Sequence, residues 1–226
     1  MDEIYQSMEI KNQNKIQENG FIYDAQLLEI QDQRKCQAIF CIPKQIKMTH
    51  EYIKLSNLLR NETCGIFYEV MNKNPTKGTF HSTFFQLSGF NETLLYTKEQ
   101  YKTMSQILKN IFPCNFQLVY KRLILTPHAL VLCGYPSIDL NQIRNEFRKK
   151  MNEYSIPYHE PYVSNTAHTT IFRFTQLPYH NFKQKYLEFL NTEIIFGEIT
   201  VDHYHIGVGS WKLNPFEIDI CETLSL

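Results

Sequence analysis

Two stretches of the chain, GTFHSTFFQLSGF (78–90) and TAHTTIFRF (166–174), each set a histidine and a threonine two positions apart in a run that otherwise reads as a β-strand. Side chains alternate faces along a strand, so His81 and Thr83 share one face while Ser82 and Phe84 take the other. The same holds for His168 and Thr170, against Thr169 and Ile171. The elements after each pair repeat as well. TKEQYKTMSQILKNIF (97–112) places Tyr101, Met104, Ile107, Leu108 and Ile111 on one helical stripe behind a Thr97/Gln100 capping box, and FQLVYKRLIL and ALVLCGYP then read as paired strands around TPH (126–128). In the second half, YHNFKQKYLEFLN (179–191) predicts a helix, and IIFGEITVDHYHIGVGSWKL and FEIDICETLSL predict strands. Each half therefore reads as histidine strand, helix, strand, turn, strand, a duplication at the level of element order. Helices mixed with hairpin-like strand pairs predict an α+β fold with two sheets or half-sheets related by a pseudo-two-fold axis.

The remaining segments fill in around this repeat. FIYDAQLLEI (21–30), CQAIFCIP (36–43) and CGIFYEVM (64–71) read as strands, and NKNPTKG (72–78) as a loop. THEYIKLSNLLRN predicts a helix capped by Thr49, and SIDLNQIRNEFRKKMNEY (137–154) a further helix with Leu140, Ile143, Phe147 and Met151 on one stripe. Residues 1–19 are polar and rich in Asn, Gln and Lys, and are expected to form a mobile or loosely docked leader. Residues 20–226 are expected to form one domain, with lobes near 45–135 and 136–226 and strands free to cross between them.

At 226 residues, 43% of them hydrophobic, the chain can bury a substantial core. Lys+Arg and Asp+Glu are both 23, so no global field is available to hold a long polyanion, and any nucleic-acid partner should be small or held locally. The six cysteines show no zinc spacing, and several lie in apolar runs, which suits buried, reduced thiols. The acidic, polar start is unlike a secretory signal, and no apolar run approaches transmembrane length. These features place the protein in a cytosol-like compartment, cytoplasmic or nuclear, with no membrane partner.

If the two halves face each other, the cleft between them receives two imidazoles and two hydroxyls. Opening a phosphodiester needs one proton removed from the attacking oxygen and one given to the leaving oxygen, and histidine can do either near neutral pH. Hydroxyls of Thr83 and Thr170 can donate to the non-bridging oxygens as charge develops. Such a design asks for no metal and no cofactor.

These two motifs resemble the signature of the 2H phosphoesterase superfamily, two H-x-[ST]-x motifs at about this interval. HSTFFQLSGF looks like the first motif, including the Leu and Gly that often come after it, and HTTIFRF looks like the second, including an arginine three residues after the threonine, here Arg173. The resemblance implies a bilobal α+β fold with a central groove and helices on the outside. It also implies His81, Thr83, His168 and Thr170 as catalytic residues, and metal-independent chemistry on 2′-linked or cyclic phosphates of a small nucleotide or oligonucleotide. The implied substrates are a 2′,5′-oligoadenylate, a cyclic dinucleotide or a 2′,3′-cyclic phosphate, including an immune-signalling nucleotide, and the protein is expected to act as a monomer. RNA end processing and a binding module without turnover stay open beside this reading. Departures from the pattern are the polar Ser82 and Thr169, which suggest outward faces less buried than usual, and some 80 residues ahead of the first motif, an elaboration able to cap the groove.

Other features carry two readings each. Arg173 lies an odd number of positions from His168, so an ideal strand turns it away from the cleft, and a surface ion pair competes with a phosphate contact. The loop YSIPYHEPYV (154–163) offers Tyr158 or Tyr162 as a stacking platform for a base, or simply covers a core edge. His203 and His205 share a face, which reads as a solvated strand face in the absence of a third metal ligand. RNEFRKKM (144–151) reads as the wet face of a helix, and Trp211 as core.

Overall fold

The structure, a computed structural model, describes residues 1–29, 34–70, 77–89, 92, 94–112, 114–190, 193–210 and 218–226. In chain order it runs α1 (Asp2–Asn19), β1 (Cys36–Cys41), β2 (Gln45–Met48), α2 (His50–Arg60), β3 (Gly65–Glu69), β4 (Gly78–Thr79) and β5 (Ser82–Gln86). It continues through α3 (Lys98–Ile111), β6 (Phe116–Leu125), β7 (Ala129–Pro136), α4 (Leu140–Glu153), β8 (His168–Phe174), α5 (Phe182–Lys185), β9 (Gly197–Val201), β10 (His203–Gly209) and β11 (Asp219–Ser225). One sheet has four strands in the order β11-β10-β1-β5, and the other has seven in the order β2-β9-β6-β7-β8-β3-β4. All pairs are antiparallel except the short parallel contact of β3 with β4. The α+β class expected from the repeat is the one found.

Neither sheet is built from one half of the chain. The four-stranded sheet takes β1 and β5 from the first half and β10 and β11 from the second, and the seven-stranded sheet is also mixed. The chain changes sheets between β4 and β5, at Phe80–His81, and between β9 and β10, at Asp202. His81 therefore precedes its strand instead of lying within it, although it keeps the face it shares with Thr83.

The predicted caps hold the helices in place. Thr49 accepts from the backbone N–H of Tyr52, and Thr97 and Gln100 form the reciprocal capping box at the start of α3. Phe147 on α4 packs edge-on against Phe84 and Phe85 of β5, with ring centroids 5.9 and 5.1 Å apart. On the other sheet, Phe80 meets Tyr120 at 5.7 Å and Tyr52 of α2 at 6.4 Å. Both histidine strands are thus backed by aromatic core.

Four segments differ from expectation. FIYDAQLLEI is not a strand. Its Asp24 side chain caps a single 3₁₀ turn at Ala25–Leu28, which seats Leu27 against Ile66 and Tyr68. The helix expected over 179–191 is regular for one turn only, at Phe182–Lys185. Leu190 is drawn into a bridge with Leu123, while Tyr179, Lys185 and Tyr186 all donate to Glu62. Cys41, Cys64 and Cys133 are buried as expected, but Cys114 and Cys221 are exposed. Trp211 lies outside the described residues.

The fourth segment is the leader, which forms the 18-residue helix α1. Its apolar residues are too few to mark an amphipathic stripe, and the anchor is polar and local. The Tyr5 hydroxyl donates to the Gly134 carbonyl at 2.8 Å and accepts from the Ala167 N–H at 2.9 Å, within a side chain that is fully buried. Glu9 pairs with Arg122, and Asp2 accepts from the Tyr135 hydroxyl. The helix does not line the groove between the sheets, so the N-terminal elaboration does not cap it through α1. Instead β1 supplies part of its floor.

Tyr5→Phe should cost about 1–3 kcal/mol, because it leaves the Ala167 N–H without its acceptor in a buried place. Chemical denaturation checks this, and an unchanged midpoint would show that the α1 anchor contributes nothing.

Candidate active site

The cleft between the sheets encloses a cavity of about 260 Å³, lined by His81, Thr83, His168 and Thr170 together. The two motifs meet there because β5 edges the four-stranded sheet while β8 lies within the seven-stranded one. The non-cleft residues of the motifs are buried, contrary to expectation: Ser82 is 7% exposed and Thr169 1%. Behind the cleft the buried Tyr120 hydroxyl sits 2.7 Å from Thr169 Oγ1. The Thr169 hydroxyl thus satisfies a polar tie there in place of apolar packing.

Each ring is oriented through Nδ1. His81 Nδ1 lies 2.7 Å from the Thr79 carbonyl, which can only accept, so Nδ1 carries the proton and the neutral ring keeps its lone pair on Nε2. His168 Nδ1 lies 2.7 Å from the Thr166 hydroxyl, which can give or take a proton, so either neutral tautomer is available to it. Burial pushes both rings down to about 4. The Thr79 bond partly opposes this at His81, while the charge of Arg173 lowers both rings and that of Arg144 lowers His168 further. At neutral pH the empty cleft therefore holds two neutral imidazoles.

The cleft is positive without any contribution from net charge. Arg173 and Arg144 line it, and no Asp or Glu does so among the described residues. Arg173 reaches the cleft despite its odd spacing because β8 carries a β-bulge. Val131 pairs with Thr170 and Leu130 with Phe172, leaving Ile171 as the extra residue. Ile171 and Phe172 then both enter the core, and the next side chain returns to the cleft. Strand β5 does the same: Phe40 pairs with Thr83 and Ile39 with Phe85, so Phe84 is extra, Phe84 and Phe85 are both core, and Gln86 faces the cleft. A bulge is invisible to period-two reasoning. The residue that signals it here is a second large apolar side chain where a polar one is due.

Arg144 is the residue that sequence reasoning placed wrongly. It is fully buried instead of solvated, and it donates from Nε to the Phe84 carbonyl at 2.8 Å and from Nη2 to the Thr166 carbonyl at 2.7 Å. One side chain on α4 thereby joins the first motif to the residue that orients His168. Arg148, one turn on, is also withdrawn from water by a bidentate pair with Glu160. That pair anchors the loop ahead of β8.

The tyrosines of that loop separate. Tyr162 stands at the cleft, largely exposed, whereas Tyr158 packs against the Phe85 ring at 5.5 Å and does not line the cavity. The His203–His205 face is only partly solvated. His203 is 2% exposed and bonded to Asp202, and His205 lies 2.9 Å from the Thr223 hydroxyl with its ring 4.8 Å from that of His203. Phe40, the cross-strand partner of His205 on β1, packs its ring against it at 5.7 Å.

Two sheets of mixed parentage thus face each other, and a His-x-Thr pair from each meets in the groove between them. Among solved structures, the fold matches E. coli LigT complexed with 3′-AMP at a TM-score of 0.52, over 86% of this chain and 99% of that one, with 15% identity. It matches a further phosphoesterase at a TM-score of 0.50, over 84% and 98% of the two chains, also with 15% identity. The fold expected from the motif resemblance is therefore the fold present. No family model matches the chain, and no curated protein matches its sequence.

Arg144→Lys should cost about 1–3 kcal/mol, since an ammonium cannot serve the Phe84 and Thr166 carbonyls with the geometry of a guanidinium. Thermal unfolding with intact wild-type stability would show that the tie is dispensable. A phosphate-bearing ligand should bind with net proton uptake at pH 5.5–6.5. Free imidazoles near 4 are then mostly unprotonated, and an anion beside them raises their affinity for protons. Calorimetry of inorganic phosphate binding in two buffers of different ionisation enthalpy checks this. Equal heats in both buffers would contradict it.

Proposed function

We propose that the protein is a metal-independent phosphodiesterase that opens 2′-linked or cyclic phosphodiesters of a small nucleotide or short oligonucleotide. The observation that carries this reading is the convergence of both His-x-Thr pairs on one cleft that holds two arginines and, among the described residues, no Asp or Glu. An anion fits such a cleft, and two ring nitrogens supply both proton transfers that an in-line displacement at phosphorus requires. E. coli LigT, which shares the fold, is solved with 3′-AMP bound, and this supports a nucleotide in the corresponding groove here.

In the proposed reaction, His81 acts as the base, since its neutral form already presents a lone pair on Nε2. It takes the proton of the attacking water or hydroxyl as the new P–O bond forms. His168 delivers a proton to the leaving oxygen as the old P–O bond breaks, and Thr83 and Thr170 donate to the non-bridging oxygens. His168 enters the cycle protonated, in the substrate complex, where the phosphate offsets the depression of its pKa. Arg173 sits on the same wall and adds positive charge, and Tyr162 at the mouth offers a ring face to a base.

Scale and charge favour a short substrate. A cavity of about 260 Å³ lies just below the range of ligand clefts, roughly 300–1,000 Å³. A formal net charge of zero supplies no global field to hold a long RNA along its backbone. Within this class the candidates are 2′,3′-cyclic phosphates, 2′,5′-oligoadenylates and cyclic dinucleotides, an immune-signalling nucleotide among them. RNA end trimming or 2′-5′ joining is the second reading, favoured by the fold shared with LigT. No helix among the described residues is long and apolar enough to cross a membrane; separately, the scattered cysteines without zinc spacing lead us to propose a reducing, cytosolic or nuclear setting, with the protein acting as a monomer.

The test is hydrolysis in EDTA of a panel of 2′,3′-cyclic mononucleotides, 2′,5′- and 3′,5′-linked adenylates, cyclic dinucleotides and a short oligo(U). One class should be cleaved, and His81→Ala and His168→Ala should each lower the rate by about 10²–10⁴-fold. Binding without cleavage by the parent protein would sink the enzyme reading and leave a nucleotide receptor.

A further inference from the structure

The bulges that return Arg173 and Gln86 to the cleft make these two residues pseudo-symmetric partners. Each lies three positions after its threonine, at the same place on its own strand. One is a cation and the other is not. This is the point at which the two halves of the site differ most in chemistry.

Gln86 is 7% exposed, and its amide has a fixed orientation. Its nitrogen lies 3.0 Å from the Ser88 carbonyl, and since a carbonyl only accepts, that end must be the NH₂ group. The carbonyl oxygen Oε1 is left as the end available to the cavity, and it takes no hydrogen bond among the described residues. An acceptor that opens to the cavity without a protein partner can be met by an N–H donor on a ligand in place of water. It also repels phosphate oxygens.

The ground beside it is flat. Gln86 on β5 pairs across the sheet with Ala38 on β1, which pairs in turn with Gly207 on β10, and all three line the cavity. Ala38 and Gly207 raise almost nothing above the sheet next to the amide. A planar ring can lie along that row with its edge toward Oε1.

We propose that Gln86 is a specificity-determining residue that reads the exocyclic amino group of a nucleobase, adenine in the first instance, lying over Ala38 and Gly207. The phosphate is then directed toward Arg173, so the cleft accepts a nucleotide in one direction despite its pseudo-symmetry. This rests on the nucleotide reading above and adds to it a base edge and an orientation.

Calorimetry with two probes separates the claims: adenosine 3′-monophosphate, and purine riboside 3′-monophosphate, which lacks only the amino group. The wild-type protein should bind the first about tenfold more tightly or better, and Gln86→Leu should bring the two affinities together by weakening the first alone. If both probes bind wild-type protein equally, the assignment of Gln86 is overturned while the nucleotide reading stands. If neither binds, both fall. Should Gln86→Leu fail to fold, judged by circular dichroism, the wild-type pair of affinities still decides. If it folds and keeps the amino preference, another residue reads the base and the proposal fails.

Discussion

The guanidinium of Arg144 holds the two motifs in one site. It is buried with no carboxylate in ion-pair contact among the described residues, and its charge is met by the dipoles of the Phe84 and Thr166 carbonyls and by the Asn141 side-chain oxygen. Burial draws its pKa down to about 10, which still leaves it ionised at neutral pH. A buried charge of this kind is tolerated only when its hydrogen bonds are made, so the positions of its acceptors are tightly constrained. Those acceptors belong to the first histidine strand and to the residue beside the second histidine. The same charge makes protonation of His168 less favourable until an anion arrives.

Tyr120 is the corresponding tie behind the cleft, its hydroxyl bonded to Thr169 of one motif and its ring packed on Phe80, which precedes the other. Between these two anchors the motif strands have little freedom to separate. Preorganisation of this sort is what a displacement at phosphorus needs, because acid, base and hydroxyl donors must converge on one atom. In the proposed reaction, the neutral rings and the arginines that line the cleft make substrate charge part of how the acid form is reached.

The range of each interaction decides how much of this was legible in the sequence. The four groups of the motifs, their shared faces and the helices behind them rest on alternation, helical period and capping, all local, and all four groups line one cleft. Arg173 was half legible: its residue type and spacing were noticed, but alternation turned it the wrong way because a bulge is set by pairing with β7. Gln86 was missed for the same reason, although the repeated spacing of a polar residue three after each threonine was there to be read. Arg144 looked like one more charge on a wet helix, since nothing nearby in sequence shows that its partners lie on β5 and beside β8. The N-terminal segment failed in the opposite sense. A polar composition predicted little docking, yet one tyrosine with two well-placed backbone partners sufficed to anchor a helix.

Most of the element types, the duplicated order and the identity of the groups able to move protons and hold a phosphate were set by the amino-acid sequence alone, because they depend on residue type and short-range period. Tertiary packing was needed to settle that the two sheets exchange strands, that bulges turn Gln86 and Arg173 inward, and that Arg144 is buried between the motifs. Each of these depends on register and on pairing between residues far apart in the chain, and a one-residue change in register reverses which face a side chain takes.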